Sequence, residues 1–155
     1  MLVTPSKGAL VSSDTRIADR LDITDLFARL ANLLDERRHD DAGTVYHQDI
    51  VVRGPRGELR GLDEVTAFLK SSWVEGQLTQ HLHTGVLVEL DGDRAKVSSN
   101  ELVFFFREGE APHRTGGLRT AGTAVRTPEG WRFSEMDIRL AWTQEQKQEQ
   151  ELEQA

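Results

Sequence analysis

Leu78-Thr79-Gln80-His81-Leu82-His83-Thr84-Gly85-Val86-Leu87-Val88-Glu89-Leu90, then Asp91-Gly92-Asp93, then Arg94-Ala95-Lys96-Val97, sets the architecture of this chain. An apolar, β-branched run meets a turn built around glycine and is answered by a second run, which is how a β-hairpin reads in sequence. The same rhythm continues toward the C-terminus. Arg94 to Arg107, Arg114 to Thr127 and Trp131 to Trp142 read as strands, joined through Glu108-Gly109-Glu110-Ala111-Pro112 and Pro128-Glu129-Gly130. Four long antiparallel strands are expected.

Toward the N-terminus the period changes to that of helices. Asp22 is placed as an N-cap with Asp25 in the first turn, followed by Ile23, Leu26, Phe27, Leu30, Leu33 and Leu34 on one stripe that ends beside Asp35. A short helix over Ala42 to Tyr46 and a β-branched strand over Asp49 to Arg53 follow, the strand stopped by Gly54-Pro55-Arg56-Gly57. After Gly61, Leu62, Val65, Phe68, Leu69 and Trp73 return to helical spacing. Helices gathered before one antiparallel sheet make an α+β domain, and a strongly curved sheet wrapped around those helices leaves an internal apolar pocket. The expected division is a flexible arm over 1–13, one domain over 14–142 and a Gln/Glu-rich tail over 143–155.

With 155 residues, 37% of them hydrophobic, the chain suits a single core. Its formal charge of -7 gives no basic footprint for nucleic acid, and no segment approaches a membrane span. No cysteine is present, so no thiolate zinc site, disulfide or cysteine nucleophile is available, and a cytoplasmic location is expected.

The chemistry-bearing residues begin with His81 and His83, which lie two apart and so share one face of a strand with Gly85 and Leu87. A carboxylate within reach would fix a histidine tautomer and raise its basicity, and Asp35 is the candidate. From spacing alone, a solvated Asp35 beside Arg37 and Arg38, with ordinary histidines, carries more weight. His81, His83 and Asp35 could also form a two-histidine, one-carboxylate metal face, but an H-x-H spacing alone is common, and no metal is assigned. Further lining is expected from Phe68 and Trp73 of the second long helix. On the next strand Asn100 and Glu101 are a further candidate group, and alternation puts Asn100, Leu102, Phe104 and Phe106 on one face and Glu101, Val103 and Phe105 on the other. Asn100, Leu102 and Phe104 are assigned to the pocket. Arg119, a potential anchor for a carboxylate or oxyanion, and Met136 and Ile138 of the last strand complete the expected lining, although Arg119 fits an exposed strand face equally well. Because both sheet faces carry apolar residues, a homodimer through the sheet is expected.

These features resemble the SnoaL-like branch of the nuclear transport factor 2-like superfamily, which includes polyketide cyclases, scytalone dehydratase and ketosteroid isomerase. The resemblance runs from about Asp19 to Trp142. It rests on Asp19-Arg20-Leu21, Leu34-Asp35-Glu36-Arg37, Asp49, Gly61, Thr79-Gln80-His81, Asp91-Gly92-Asp93-Arg94-Ala95 and Gly130-Trp131-Arg132-Phe133 in that order. It implies a cone-shaped α+β barrel with a deep apolar pocket, usually without metal or organic cofactor and often dimeric. It also implies that Asp35 and His81 form the acid/base pair of the dehydratase-like members. Two positions depart: Leu30 stands where an aromatic residue is usual, and Thr120-Ala121-Gly122 stands where Tyr-x-Asp is. His83 replaces a more usual aliphatic residue.

The expected function is that of a cofactor-independent lyase, isomerase or cyclase acting on a small hydrophobic, oxygenated substrate. Asp35 and His81 would be catalytic, with His83 or Arg119 stabilising the oxyanion. The alternative is a non-catalytic module that holds an apolar ligand or a protein, since one fold hosts many functions.

Overall fold

The computed structural model describes residues 13–147; the expected arm, save Ser13, and most of the expected tail lie outside them. The first helix, α1, spans Ser13–Asp35, ten residues more on its N-terminal side than the capping pattern suggests. Asp22 is therefore an exposed mid-helix residue, not an N-cap. The extension escaped periodicity because Ile17 and Leu21 point to solvent (57% and 61% exposed), while the buried residue of that half is Asp19. Its carboxylate takes two hydrogen bonds from the Arg126 guanidinium (2.9 and 2.7 Å) and one from the Trp131 indole (3.1 Å), tying α1 to the sheet. The Arg126 bonds hold Asp19 below the ordinary carboxylate range, against the opposing effect of burial.

A 3-10 helix over His39–Thr44 replaces the expected short helix, and leads into strand β1, Tyr46–Gly54. The Gly54–Gly57 turn leads into a short strand, β2 (Gly57–Arg60), which period and turn chemistry do not predict. Helix α2, Leu62–Ser71, starts at Gly61, whose φ of 88° suits glycine and whose N–H donates to Ile50 O (2.7 Å). Trp73 falls beyond its C-cap, Ser72, rather than on its apolar stripe.

The four expected strands are present as β3 (Leu78–Asp91), β4 (Arg94–Phe106), β5 (Arg114–Thr127) and β6 (Gly130–Glu145). The last runs three residues into the segment expected as a tail. The sheet order is β2-β1-β6-β5-β4-β3, antiparallel throughout except where β1 pairs with β6 in parallel. The curved, unclosed sheet packs its concave face on α1 and α2 and forms the cone. Phe27 of α1 meets Phe133 of β6 edge-on at 4.9 Å, inside a core with Ile23, Leu26, Leu33, Ile50 and Val97. Met136, expected in the pocket, is 2% exposed and belongs to this core.

One irregularity in β3 matters more than any other. Pairing with β4 shifts register between Thr84 and Leu87, where Gly85 sits at φ 61°. This bulge inserts one extra residue, so His81 and His83 face inward, and after it Val86, Val88 and Leu90 do too. Leu87, expected to share the histidine face, is 67% exposed. Among the described residues no helix is long and apolar enough to cross a membrane.

Candidate functional site

Asp35 is the last residue of α1, and its carboxylate reaches β3 at three points. Oδ1 accepts from the Thr79 hydroxyl (3.0 Å) and from His81 Nδ1 (2.6 Å), while Oδ2 accepts from the His81 backbone N–H (2.9 Å). The Asp35 oxygens accept here, so His81 donates from Nδ1, and its neutral form presents Nε2 as a lone pair. The pair is largely enclosed, with His81 14% and Asp35 21% exposed at the side chain. The expected juxtaposition is therefore present.

Glu101 faces the other side of the imidazole. Its Oε1 lies 3.9 Å from His81 Nε2, and its side chain is 10% exposed. Burial pushes its carboxyl above the ordinary range, with the His81 charge pulling it down and Asp35 pushing it up. The sequence reading put Glu101 on the face away from the pocket. The reason is the bulge: counted across the Asp91-Gly92-Asp93 turn without it, His83 pairs with Leu102 and His81 with Phe104. In the structure His83 pairs with Glu101 and His81 with Val103. Cross-strand partners share a face, so Glu101, Val103 and Phe105 line the interior, and Asn100, Leu102 and Phe104 belong to the outer face. Arg119 pairs with Asn100 on that face and is exposed, so it cannot stabilise an oxyanion in the cavity.

His83 joins a buried hydroxyl pair. Its Nδ1 is 3.1 Å from Ser99 Oγ, which is 2.6 Å from Thr120 Oγ1. Its Nε2 is buried with no hydrogen-bond partner among the described residues, and its ring lies 5.3 Å from Phe27. Burial, then the His81 charge, pushes the imidazole down to about 4, against a weaker pull from Asp35, so His83 is neutral near neutral pH. The Thr120-Ala121-Gly122 departure also has a physical reason. A Cβ at 122 would sit 2.0 Å from the Glu135 carbonyl oxygen, so no acidic side chain fits there. Leu30, the other departure, is buried in the core.

Two adjoining chambers open beside these groups. The proximal one, about 440 Å³, is bordered by His81 and Thr79 and closed by Trp73, Phe68, Phe105 and Leu34. The distal one, about 420 Å³, is mostly apolar, with Val52, Leu59, Val103, Leu118 and Ile138. Arg56, Phe68, Phe105 and Arg114 border both. Phe68 and Ile138 thus stand where the sequence placed them, and Trp73 borders the proximal chamber from its loop. A third hollow, between α1 and the edge strand β3, reaches both histidines. His81 and His83 turn their Nδ1 atoms to different partners, and no three His, Asp or Glu groups among the described residues are arranged to hold a metal ion.

The SnoaL-like domain family model matches residues 15–137. No curated protein matches the chain. Among solved structures, the Kfla4162 protein of Kribbella flavida is similar at 22% identity and TM-score 0.76, over 83% of this chain and 95% of that one. The hexachlorocyclohexane dehydrochlorinase LinA-type3 of Novosphingobium barchaimii is similar at 16% identity and TM-score 0.77, over 88% and 96%. ActVI-ORFA of Streptomyces coelicolor is similar at 15% identity and TM-score 0.71, over 79% and 96%. These likenesses establish the cone fold.

Proposed function

This chain belongs to the SnoaL-like domain family, and from that premise we propose that it is a cofactor-independent acid/base enzyme of the lyase or isomerase type, acting on a small hydrophobic, oxygenated substrate. The observation that carries the reading is the 2.6 Å contact between Asp35 Oδ1 and His81 Nδ1, beside a chamber large enough for a ring compound. His81 Nε2 takes a proton from carbon, and Asp35 stabilises the imidazolium that results. Glu101, whose carboxyl burial raises, stands 3.9 Å from that nitrogen but borders neither chamber, so the His81 imidazolium itself returns the proton to a leaving oxygen or to the enolate. His83, whose Nε2 is buried, borders neither chamber and makes no contact with the substrate there. A neighbour named as a dehydrochlorinase supports elimination as a chemistry this cone accommodates.

The test is carbon-proton exchange and elimination across a panel of β-hydroxy ketones, followed by NMR in deuterated buffer. Asp35→Asn preserves the shape but allows the wrong tautomer, so it and His81→Ala should each slow the reaction by about 100-fold or more. Unchanged rates in both variants would sink the proposal.

A ligand-holding module without turnover is the competing reading, favoured by the mostly apolar distal chamber, which has no contact with His81. In that case the dyad variants leave ligand binding and the absence of turnover alike. The homodimer expected through the sheet would use the outer face, where Leu82, Leu87 and Trp142 stand exposed. Light scattering that returns the 17.4 kDa mass of one chain would remove it.

A further inference from the structure

We propose that the proximal chamber takes an anionic substrate, a ring-bearing carboxylate held by Arg37, Arg56 and Arg114 while its apolar body lies on Phe68 and Phe105 and runs into the distal chamber. The inference names the substrate class of the site assigned above and rests on that site being the one used.

The lining of the proximal chamber is basic in an acidic protein. The chain carries 26 acidic and 19 basic residues, yet this chamber is bordered by three arginines, His39 and His81, and by no aspartate or glutamate. Arg38, Arg53, Arg60 and Arg126 are each neutralised by a carboxylate. Arg37, Arg56 and Arg114 form no ion pair among the described residues; each lies over an aromatic ring instead. Arg114 is 3.9 Å from the centre of Phe105, Arg37 4.9 Å from that of Trp73, and Arg56 6.0 Å from that of Phe68. An aromatic face holds a guanidinium in place without cancelling its charge, and leaves the planar fork of donors free for a carboxylate.

Arg37 shows that this placement is imposed. It is the non-glycine residue with a positive φ (57°) among the described residues, at the position after α1 where glycine is favoured. The strained backbone is held by its guanidinium, which donates to the Gln77 carbonyl oxygen and covers Trp73. The field is felt next door. His39 is pushed below its ordinary range by burial first, then by the Lys70 and Arg37 charges, with Asp40 pulling the other way.

Arg56 and Arg114 stand where the two chambers meet, Arg37 borders the proximal one alone, and the distal chamber is mostly apolar, so the substrate's apolar body points into it. The acidic groups of the distal chamber are Glu58, already bound by Arg60, and Glu145. A carboxylate gains among the arginines and loses against Glu145, whereas an apolar ring is at home against Leu59, Leu118 and Ile138. The carboxylate is a handle that places a carbon against His81, not the reacting group.

Calorimetric titration of the full chain with cinnamate and with its neutral isostere cinnamamide tests this. Cinnamate should bind about 10-fold tighter or more. Arg114→Gln and Arg37→Gln should each weaken cinnamate by about 5-fold or more while leaving cinnamamide within about 2-fold. Asp35→Asn should keep the preference for cinnamate, so an idle dyad would overturn the catalytic reading and leave this one standing. Equal affinity for the two compounds, equal losses on the arginine variants, or binding of neither compound overturns the proposal.

Discussion

Replacing His83 with asparagine should make the fold more tolerant of acid. In the folded chain burial and the His81 charge push His83 down to about 4, while in the unfolded chain it titrates near its ordinary ~6.5. A histidine whose folded value is depressed binds its proton more readily unfolded. Its contribution is therefore complete above about pH 6.5 and is lost as pH falls toward about pH 4. Linkage between about pH 7 and about pH 5 gives a loss of about 2 kcal/mol, trimmed toward about 1 kcal/mol by solvent that screens a partly enclosed ring. The groups that face it are Asp35 from α1, His81 on its own strand and Glu101 from β4. Glu101 works in the opposite sense. Its raised value means that its contribution is present at low pH and fades as pH rises through the folded value, which flattens the wild-type curve. The comparison is therefore between wild type and His83→Asn, each unfolded in urea at both pH values. Asparagine keeps a polar atom near the Nδ1 position for Ser99. Wild type should lose about 1–2 kcal/mol more than the variant; equal losses would show that His83 is not held neutral by the fold.

Two substitutions probe the frame around the site. Arg126→Ala strips Asp19, whose side chain is 8% exposed, of two of its three hydrogen bonds, and should cost about 2 kcal/mol in urea unfolding near neutral pH. Gly122→Ala drives a Cβ to 2.0 Å from the Glu135 carbonyl oxygen, so the β5–β6 ladder must part locally. A loss of about 3 kcal/mol or failure to accumulate as folded protein is expected, and a wild-type urea midpoint would contradict that geometry.

The sequence made the large repeating features legible. The apolar stripe from Ile23 to Leu34 and the strand boundaries near Leu78, Arg94, Arg114 and Trp131 follow from period and turn chemistry, and the structure moves them by a few residues. Asp35 and His81 were legible as a pair only through resemblance, because 46 residues separate them and spacing favoured an exposed helix end. What stayed hidden depended on long-range register. The parallel pairing of β1 with β6 leaves no local mark, and β2 is four residues long, too short to show alternation. The assignment of Asn100, Leu102 and Phe104 to the cavity fails by one residue of register, which also turns Glu101, a candidate beside Asn100, to the wrong face. The isolated Gly85 inside a strand pattern was the available signal, since such a glycine often marks a bulge. Arg56 and Arg114 were indistinguishable from surface arginines until the turn and the strand end met at one cavity wall.

That glycine divides β3 into two segments with independent addresses. The C-terminal segment keeps Val86, Val88 and Leu90 against the core; the N-terminal segment keeps His81 and His83 against the cavity; and no unbroken strand can do both, because their parities differ. Loss of this one residue would force a choice between a protein that folds with its histidines in solvent and one that keeps them inside with its valines exposed. An insertion or deletion here is thus graver than any substitution in the strand, and chemistry can drift in one segment while packing in the other is left alone.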